Sequence, residues 1–215
     1  MANIRIEVQY NRLRTPRSAA IAGIVFGALF IISIVLLITA MPAAAGAPWV
    51  HGGSKITTAL SLTPIAGIAF LWFIGVQRDR FGDLEDRFFT TVFMGSGLLF
   101  LGMTFVSMTL AGALLAVSRG STVAENEIVY FGREAMLQGS NVYAIRMAAV
   151  FMISLATIWL RTELMPRGVV ITTYLLALSL LLVAGFNIWV VLVFPAWVIA
   201  INVYILVTDR HQLPD

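Results

Sequence analysis

The sequence predicts an all-α integral membrane protein, a bundle of six transmembrane helices with its N-terminus and C-terminus cytoplasmic. Three observations predict it. Hydrophobic residues make up 60% of the 215 and charged residues 12%, against about 45–50% and about 25% in a soluble domain. Six apolar stretches each satisfy the need for about 20 residues to cross about 30 Å of hydrocarbon while bonding every backbone amide within the segment. Basic residues, finally, gather on one side of the connections between those stretches.

The chain opens with a cytoplasmic N-terminal segment, 1–17, and the predicted spans follow at 18–41, 57–76, 88–117, 142–160, 169–185 and 188–208. A tail, 209–215, ends on the cytoplasmic side. Arg12, Arg14 and Arg17 before the first span and Ala43, Ala45 and Ala47 after it imitate a signal peptide. A signal core is about 7–15 apolar residues, however, and this one approaches twenty, so a retained helix is expected. Ala19, Gly23 and Gly27 recur every fourth residue and form a small-residue stripe on which another helix can pack. The third span carries Gly95, Gly97, Gly102 and Gly112. Its roughly 30 residues reach about 45 Å, so it must tilt, bend or protrude.

The outer loop 118–141 holds Ile128, Val129, Tyr130 and Phe131 beside Glu125, Glu127 and Glu134. That pattern predicts a short amphipathic element lying on the bilayer or capping the bundle, and it offers a surface to an extracytoplasmic partner. Only Gly185, Phe186 and Asn187 separate the fifth and sixth spans, which predicts a tight helical hairpin. Pro64 and Pro195 each remove one backbone donor from a span and free a carbonyl about one turn earlier.

Orientation follows from lysine and arginine, which are retained in the cytoplasm during insertion. With the N-terminus inside, the inner side receives Arg5, Arg12, Arg14, Arg17, Arg78, Arg80, Arg87, Arg161, Arg167 and Arg210, and the outer side Lys55, Arg119 and Arg133. Trp49 and Tyr143 then mark the outer boundary, Trp72 and Trp159 the inner one. The net charge of +3 does not imply nucleic acid, because the arginines are dispersed at helix ends rather than gathered into a patch. Contacts with anionic lipid explain them.

The catalytic inventory is poor. With no cysteine, thiolate chemistry and iron–sulfur clusters have no ligands, and the two histidines, His51 and His211, fall on opposite sides of the membrane, which argues against bis-histidine haem; no cofactor is expected. The spans hold no Asp, Glu, His or Lys, and only Arg146 intrudes, about one turn inside the outer end of the fourth. Its stem is long enough to snorkel to the headgroups, with Glu134 or Glu127 as expected partners; a gate or an anion-attracting role is the alternative. Uncharged polar residues within the spans, Ser61, Thr63, Thr104, Ser107, Thr172, Thr173, Ser179, Asn202 and Tyr204, are expected to bond carbonyls of their own or neighbouring helices. Arg146 and Asn202 are the candidate functional polar groups.

The connection after the second span, residues 78–87, reads Arg-Asp-Arg-Phe-Gly-Asp-Leu-Glu-Asp-Arg. Asp83 is placed to cap the third helix, with Glu85 and Asp86 complementing the positive end of its dipole. Asp79, Asp83 and Asp86 also form a candidate Mg²⁺ site at the membrane surface. Their placement is similar to the acidic motifs of membrane prenyltransferases and CDP-alcohol phosphotransferases, although the Asp-Gly-x-x-Ala-Arg core of the latter is missing. The segment from Phe70 to Phe100, with its Arg-Asp-Arg and Glu-Asp-Arg-Phe-Phe pattern before a glycine-containing helix, resembles uncharacterised bacterial polytopic membrane proteins. The resemblance implies a bacterial plasma-membrane setting and brings no activity or catalytic residue with it.

Taken together, these features favour a non-enzymatic structural or accessory subunit that contacts membrane lipids and either self-associates or joins a larger membrane assembly. A small channel or carrier for a neutral or weakly charged solute is the first alternative, and it requires a hydrated path at the midplane. A Mg²⁺-dependent lipid-headgroup or prenyl transferase using the 79–86 loop is the second.

Overall fold

The computed structural model describes residues 2–42, 52–81, 87–119 and 126–210, and among them it is helical with short turns and no strand. The helices are α1 (Ala2–Ala40), α2 (Gly53–Phe81), α3 (Arg87–Arg119), α4 (Asn126–Gln138), α5 (Ile145–Thr162), α6 (Arg167–Val183) and α7 (Val193–Arg210). Five stretches among the described residues are long and apolar enough to cross a membrane: Ala20–Ala40, Gly53–Asp79, Phe88–Ser118, Glu127–Thr162 and Ile188–Thr208. The shorter apolar helix Arg167–Val183 completes the set. Large apolar side chains such as Ile68, Leu99, Leu175 and Leu182 stay exposed on these helices. That is the mark of helices whose outer face meets lipid rather than water.

Several boundaries differ from those read in the sequence. Helix α1 runs unbroken from Ala2 to Ala40, so one helix takes in residues of the N-terminal segment and the first span. The loop 118–141 contains α4, which continues through a π-helical turn, Gly139–Ala144, directly into α5. The amphipathic element therefore does not lie flat as a separate piece. It stands on the fourth span and packs along α3, burying Val129 and Met136 and leaving Ile128, Tyr130 and Phe131 exposed. At about 1.5 Å per residue, the 33 residues of α3 reach about 50 Å, well beyond about 30 Å of hydrocarbon. The 36-residue stretch Glu127–Thr162 reaches about as far.

The helices form an open ring in the order α7, α1, α2, α3, α5, α6. In α1 Gly23 and Gly27 face α7, where a Cβ at Gly27 would overlap the Ile199 side chain and stand 2.9 Å from the Pro195 carbonyl oxygen. The ring does not close, because α6 packs on α5 and α7 on α1 while α6 and α7 barely touch. The expected turn is present. It uses Gly185 at φ 93°, and the Asn187 side chain accepts the Trp189 backbone N–H at 2.9 Å. A 3-10 turn, Ile188–Leu192, intervenes before α7, so the two helices splay instead of pairing as a hairpin. Pro195 follows in the first turn of α7, where a missing N–H costs least.

The centre is aromatic. Phe26 of α1, Phe70 of α2, Phe100 of α3, Phe151 of α5 and Phe194 of α7 are all 0% exposed. Ring centroids stand 4.5 Å apart for Phe26 and Phe70, 5.4 Å for Phe70 and Phe100, 4.7 Å for Phe100 and Phe194, and 5.7 Å for Phe151 and Phe194. Phe70 lies nine residues before Asp79 and Phe151 ten before Arg161. Those spacings put both rings about 14–15 Å from the charged end, the depth of a bilayer midplane.

Candidate functional site

Most of the span hydroxyls are spent on their own helices, Thr172 and Tyr204 excepted. Thr63 bonds the Ala59 carbonyl at 2.8 Å, Thr104 that of Phe100 at 2.8 Å and Ser107 that of Met103 at 2.8 Å. Thr173 bonds the carbonyl of Val169 at 2.9 Å, Ser61 that of Thr57 at 3.1 Å and Ser179 that of Leu176 at 2.7 Å. A helix offers each of these groups an acceptor one turn back, and in hydrocarbon that acceptor has no water to compete with.

Asn202 is fully buried on α7, directly over Gly23. Its Nδ2 donates to the Val198 carbonyl at 2.7 Å, and its Oδ1 is buried with no hydrogen-bond partner. Only a glycine at position 23 leaves room for the amide. Gly97 likewise admits Ile74 and Phe151, whereas a Cβ at Gly95 or Gly102 would meet nothing within 4 Å. Close approach along α3 is thus made at Gly97 rather than at Gly95 or Gly102. Ala19 lies on α1, and its side chain falls outside the described set.

Arg146 is exposed on α5. The expected pairing with Glu134 or Glu127 is not formed, because α4, the π turn and α5 make one column on which the twelve residues from Glu134 to Arg146 span about 18 Å. Glu134 stands 3.7 Å from Arg133 instead. Asp79 is exposed at the end of α2, and Asp83 and Asp86 lie outside the described residues. Among the described residues there is no group of three His, Cys, Asp or Glu able to hold a metal.

The opening of the ring is a lateral cleft of about 790 Å³ between α6 and α7. Gly168, Val169, Thr172, Thr173 and Leu176 line it from α6, and Val193, Ala196, Trp197, Ala200, Ile201 and Tyr204 from α7. Across its floor the Trp197 Nε1–H donates to Thr173 Oγ1 at 3.1 Å. The indole stacks on to Phe194 at 6.0 Å and lies 6.2 Å from Trp159, which ties the floor to the aromatic centre. Thr172, Thr173 and Tyr204 were visible in the sequence as polar residues. Trp197 was not singled out there, although Ala196 and Ala200, four apart beside it, mark a face too small to fill the gap.

A second, tighter cavity of about 20 Å³ lies beside the π turn, where Ser140 and Asn141 meet Thr104 and Ser107 of α3 and Phe30 and Ile34 of α1. Near the other end of α3 the Arg161 guanidinium sits 4.6 Å above the Phe89 ring, which pins α5 to the start of α3. No family model, curated protein or solved structure matches the chain.

Proposed function

We propose that this is a six-span protein of a bacterial plasma membrane, with both termini cytoplasmic, that acts without catalysis as a structural or accessory subunit of a membrane assembly, either with copies of itself or with a larger membrane partner. The observation that carries the proposal is the solid midplane. Five helices meet there through phenylalanine rings in mutual contact, and the buried hydroxyls of Thr63, Thr104 and Ser154 are bonded to their own backbones. A channel or carrier needs a hydrated path at that depth, so this packing supports the structural reading over the transport reading. The transferase reading rests on Asp79, Asp83 and Asp86, of which only Asp79 lies among the described residues. Assembly is supported by the length of α3 and of the α4–α5 column. Their paired ends extend past the hydrocarbon and present Ile128, Tyr130 and Phe131, the last 75% exposed.

Two experiments test this. Proteoliposomes of the purified protein should be no leakier to glycerol or urea than protein-free vesicles, and a solute flux that Phe70→Ala increases would establish transport instead. Extraction in a mild detergent should yield a particle heavier than one 23.5 kDa chain with its micelle; a strict monomer from native membranes would refute the assembly role. Because the chain has no cysteine, Asp215→Cys and Ser121→Cys report topology directly. The first should label only from the cytoplasmic side and the second only from outside.

A further inference from the structure

The cleft between α6 and α7 ends where a single leaflet would end. From Pro166 to Leu176 on α6 and from Tyr204 back to Val193 on α7, its walls run about 15–17 Å, about half the hydrocarbon thickness. Beyond that depth the turn at Gly185 and the 3-10 segment Ile188–Leu192 carry the chain across from α6 to α7. The floor offers a guest no polar group, because the Trp197 indole N–H is bonded to Thr173 Oγ1 and the Thr173 hydroxyl to the Val169 carbonyl. At the mouth the pattern changes. Arg167 is exposed between the lining residues Pro166 and Gly168, and among the described residues no carboxylate pairs with it. Tyr204 lines the same end and Thr172 the wall about 7–8 Å below Arg167, and neither hydroxyl has a hydrogen-bond partner among the described residues.

A cation and a tyrosine hydroxyl at the rim, a threonine hydroxyl on the wall below and an apolar trough of one leaflet's depth match one kind of guest. We propose that the cleft is a lipid site holding one anionic glycerophospholipid from the leaflet on the Arg167 side, with its phosphate at Arg167 and an acyl chain along Trp197 and Ala200. The inference rests on the membrane-spanning reading above. A partner's transmembrane helix fits less well, since it needs about 30 Å of groove and the lined trough runs about half that length. The volume of about 790 Å³ falls within the range of about 300–1,000 Å³ usual for small-molecule sites.

The test is native mass spectrometry of the full chain, delipidated in detergent and titrated with dioleoyl-phosphatidylglycerol or dioleoyl-phosphatidylcholine. Wild type should retain one phosphatidylglycerol with roughly fivefold preference over phosphatidylcholine, the effect of one arginine near an anionic headgroup. Arg167→Gln should lose the preference while still binding both lipids. Ala200→Phe should lose the bound lipid altogether, and Ala196→Leu repeats that arm should the larger side chain prevent folding, which circular dichroism reports. Equal retention of both lipids by wild type, or undiminished retention in a folded cleft-filling variant, overturns the proposal. So does a cleft-filling variant that splits a complex between chains with its lipid count unchanged, because the trough would then be a helix-docking site. Failure of the membrane reading would show itself separately, as recovery of a monodisperse chain without detergent.

Discussion

Replacing Gly27 by alanine adds a single methyl group where α1 crosses α7. The new Cβ would overlap the Ile199 side chain, which can rotate away, and would stand 2.9 Å from the Pro195 carbonyl oxygen, which cannot. Carbon–oxygen contacts in proteins begin near about 3.3 Å, so α7 must retreat by a few tenths of an ångström. Overpacking of this kind costs about 1–3 kcal/mol, and the better helix propensity of alanine returns about 1 kcal/mol. A net loss of about 1 kcal/mol is expected, and more for Gly27→Val. Gly102→Ala is the internal control, because its Cβ would meet nothing within 4 Å. The same propensity gain should leave that variant neutral or slightly stabilised. Reversible unfolding in mixed micelles of dodecyl maltoside and sodium dodecyl sulfate, followed by helical circular dichroism, measures both. Gly27→Ala as stable as wild type, or Gly102→Ala equally damaged, would refute the assignment of the first-helix stripe to α7.

Three further outcomes are expected from the same assay. Phe194→Ala should cost roughly 2 kcal/mol, less than the ~3–5 kcal/mol of a water-soluble core, because lipid removes most of the transfer term and leaves the cavity and lost ring contacts; no measurable loss would mean that the rings are not close-packed. Trp197→Phe keeps the ring contacts and deletes the donor to Thr173, so it should cost about 0.5–1.5 kcal/mol, and Thr173→Val should add little to it in a double-mutant cycle. Asn202→Ala removes both a bond to Val198 and a buried unpaired oxygen, so the two effects offset and the change should stay within about 1 kcal/mol. A larger loss would point to an interhelical role for the amide.

The sequence is most informative where hydrocarbon leaves a chain few choices. Apolar runs near 20 residues had to be helices, and the first, third and sixth spans lie within a few residues of the helical stretches Ala20–Ala40, Phe88–Ser118 and Ile188–Thr208. Beyond the hydrocarbon that constraint lapses, and there the reading was weakest. Glu127, Arg133 and Glu134 made 118–141 resemble a loop, yet Val129 and Met136, seven apart, already carried a helical stripe. The open cleft depends on how α6 and α7 are tilted, which packing decides and periodicity does not record. Gly95 and Gly97 are the same residue to a sequence reader. Two residues along a helix turn a side chain by about 200°, so one faces Ile74 and Phe151 and the other open space.

The π turn Gly139–Ala144 shows how the helix past the bilayer stays in phase with the helix inside it. Val129 and Met136 are buried before it in sequence, Gly139 and Ala144 at its two ends, and Ala148, Phe151 and Leu155 after it. In a regular α-helix the position after Gly139 on the same face is Tyr143, which is 57% exposed, whereas Ala144 is 1% exposed. The five-residue step from Gly139 to Ala144 is the signature of one extra residue absorbed by i→i+5 bonding, and it lets both halves of the column face α3. Deleting Ser140 should therefore convert the turn to ordinary α-helix with the buried stripe intact and cost little stability. Deleting Thr157, in regular helix, should rotate one side of the column by about 100° and unfold it. If the two deletions prove equally damaging, the column is not held in register by the π turn. If the Ser140 deletion folds yet dissociates the native assembly, the turn is kept for what Ser140 and Asn141 present beside Thr104 and Ser107, since a regular helix would serve the fold as well.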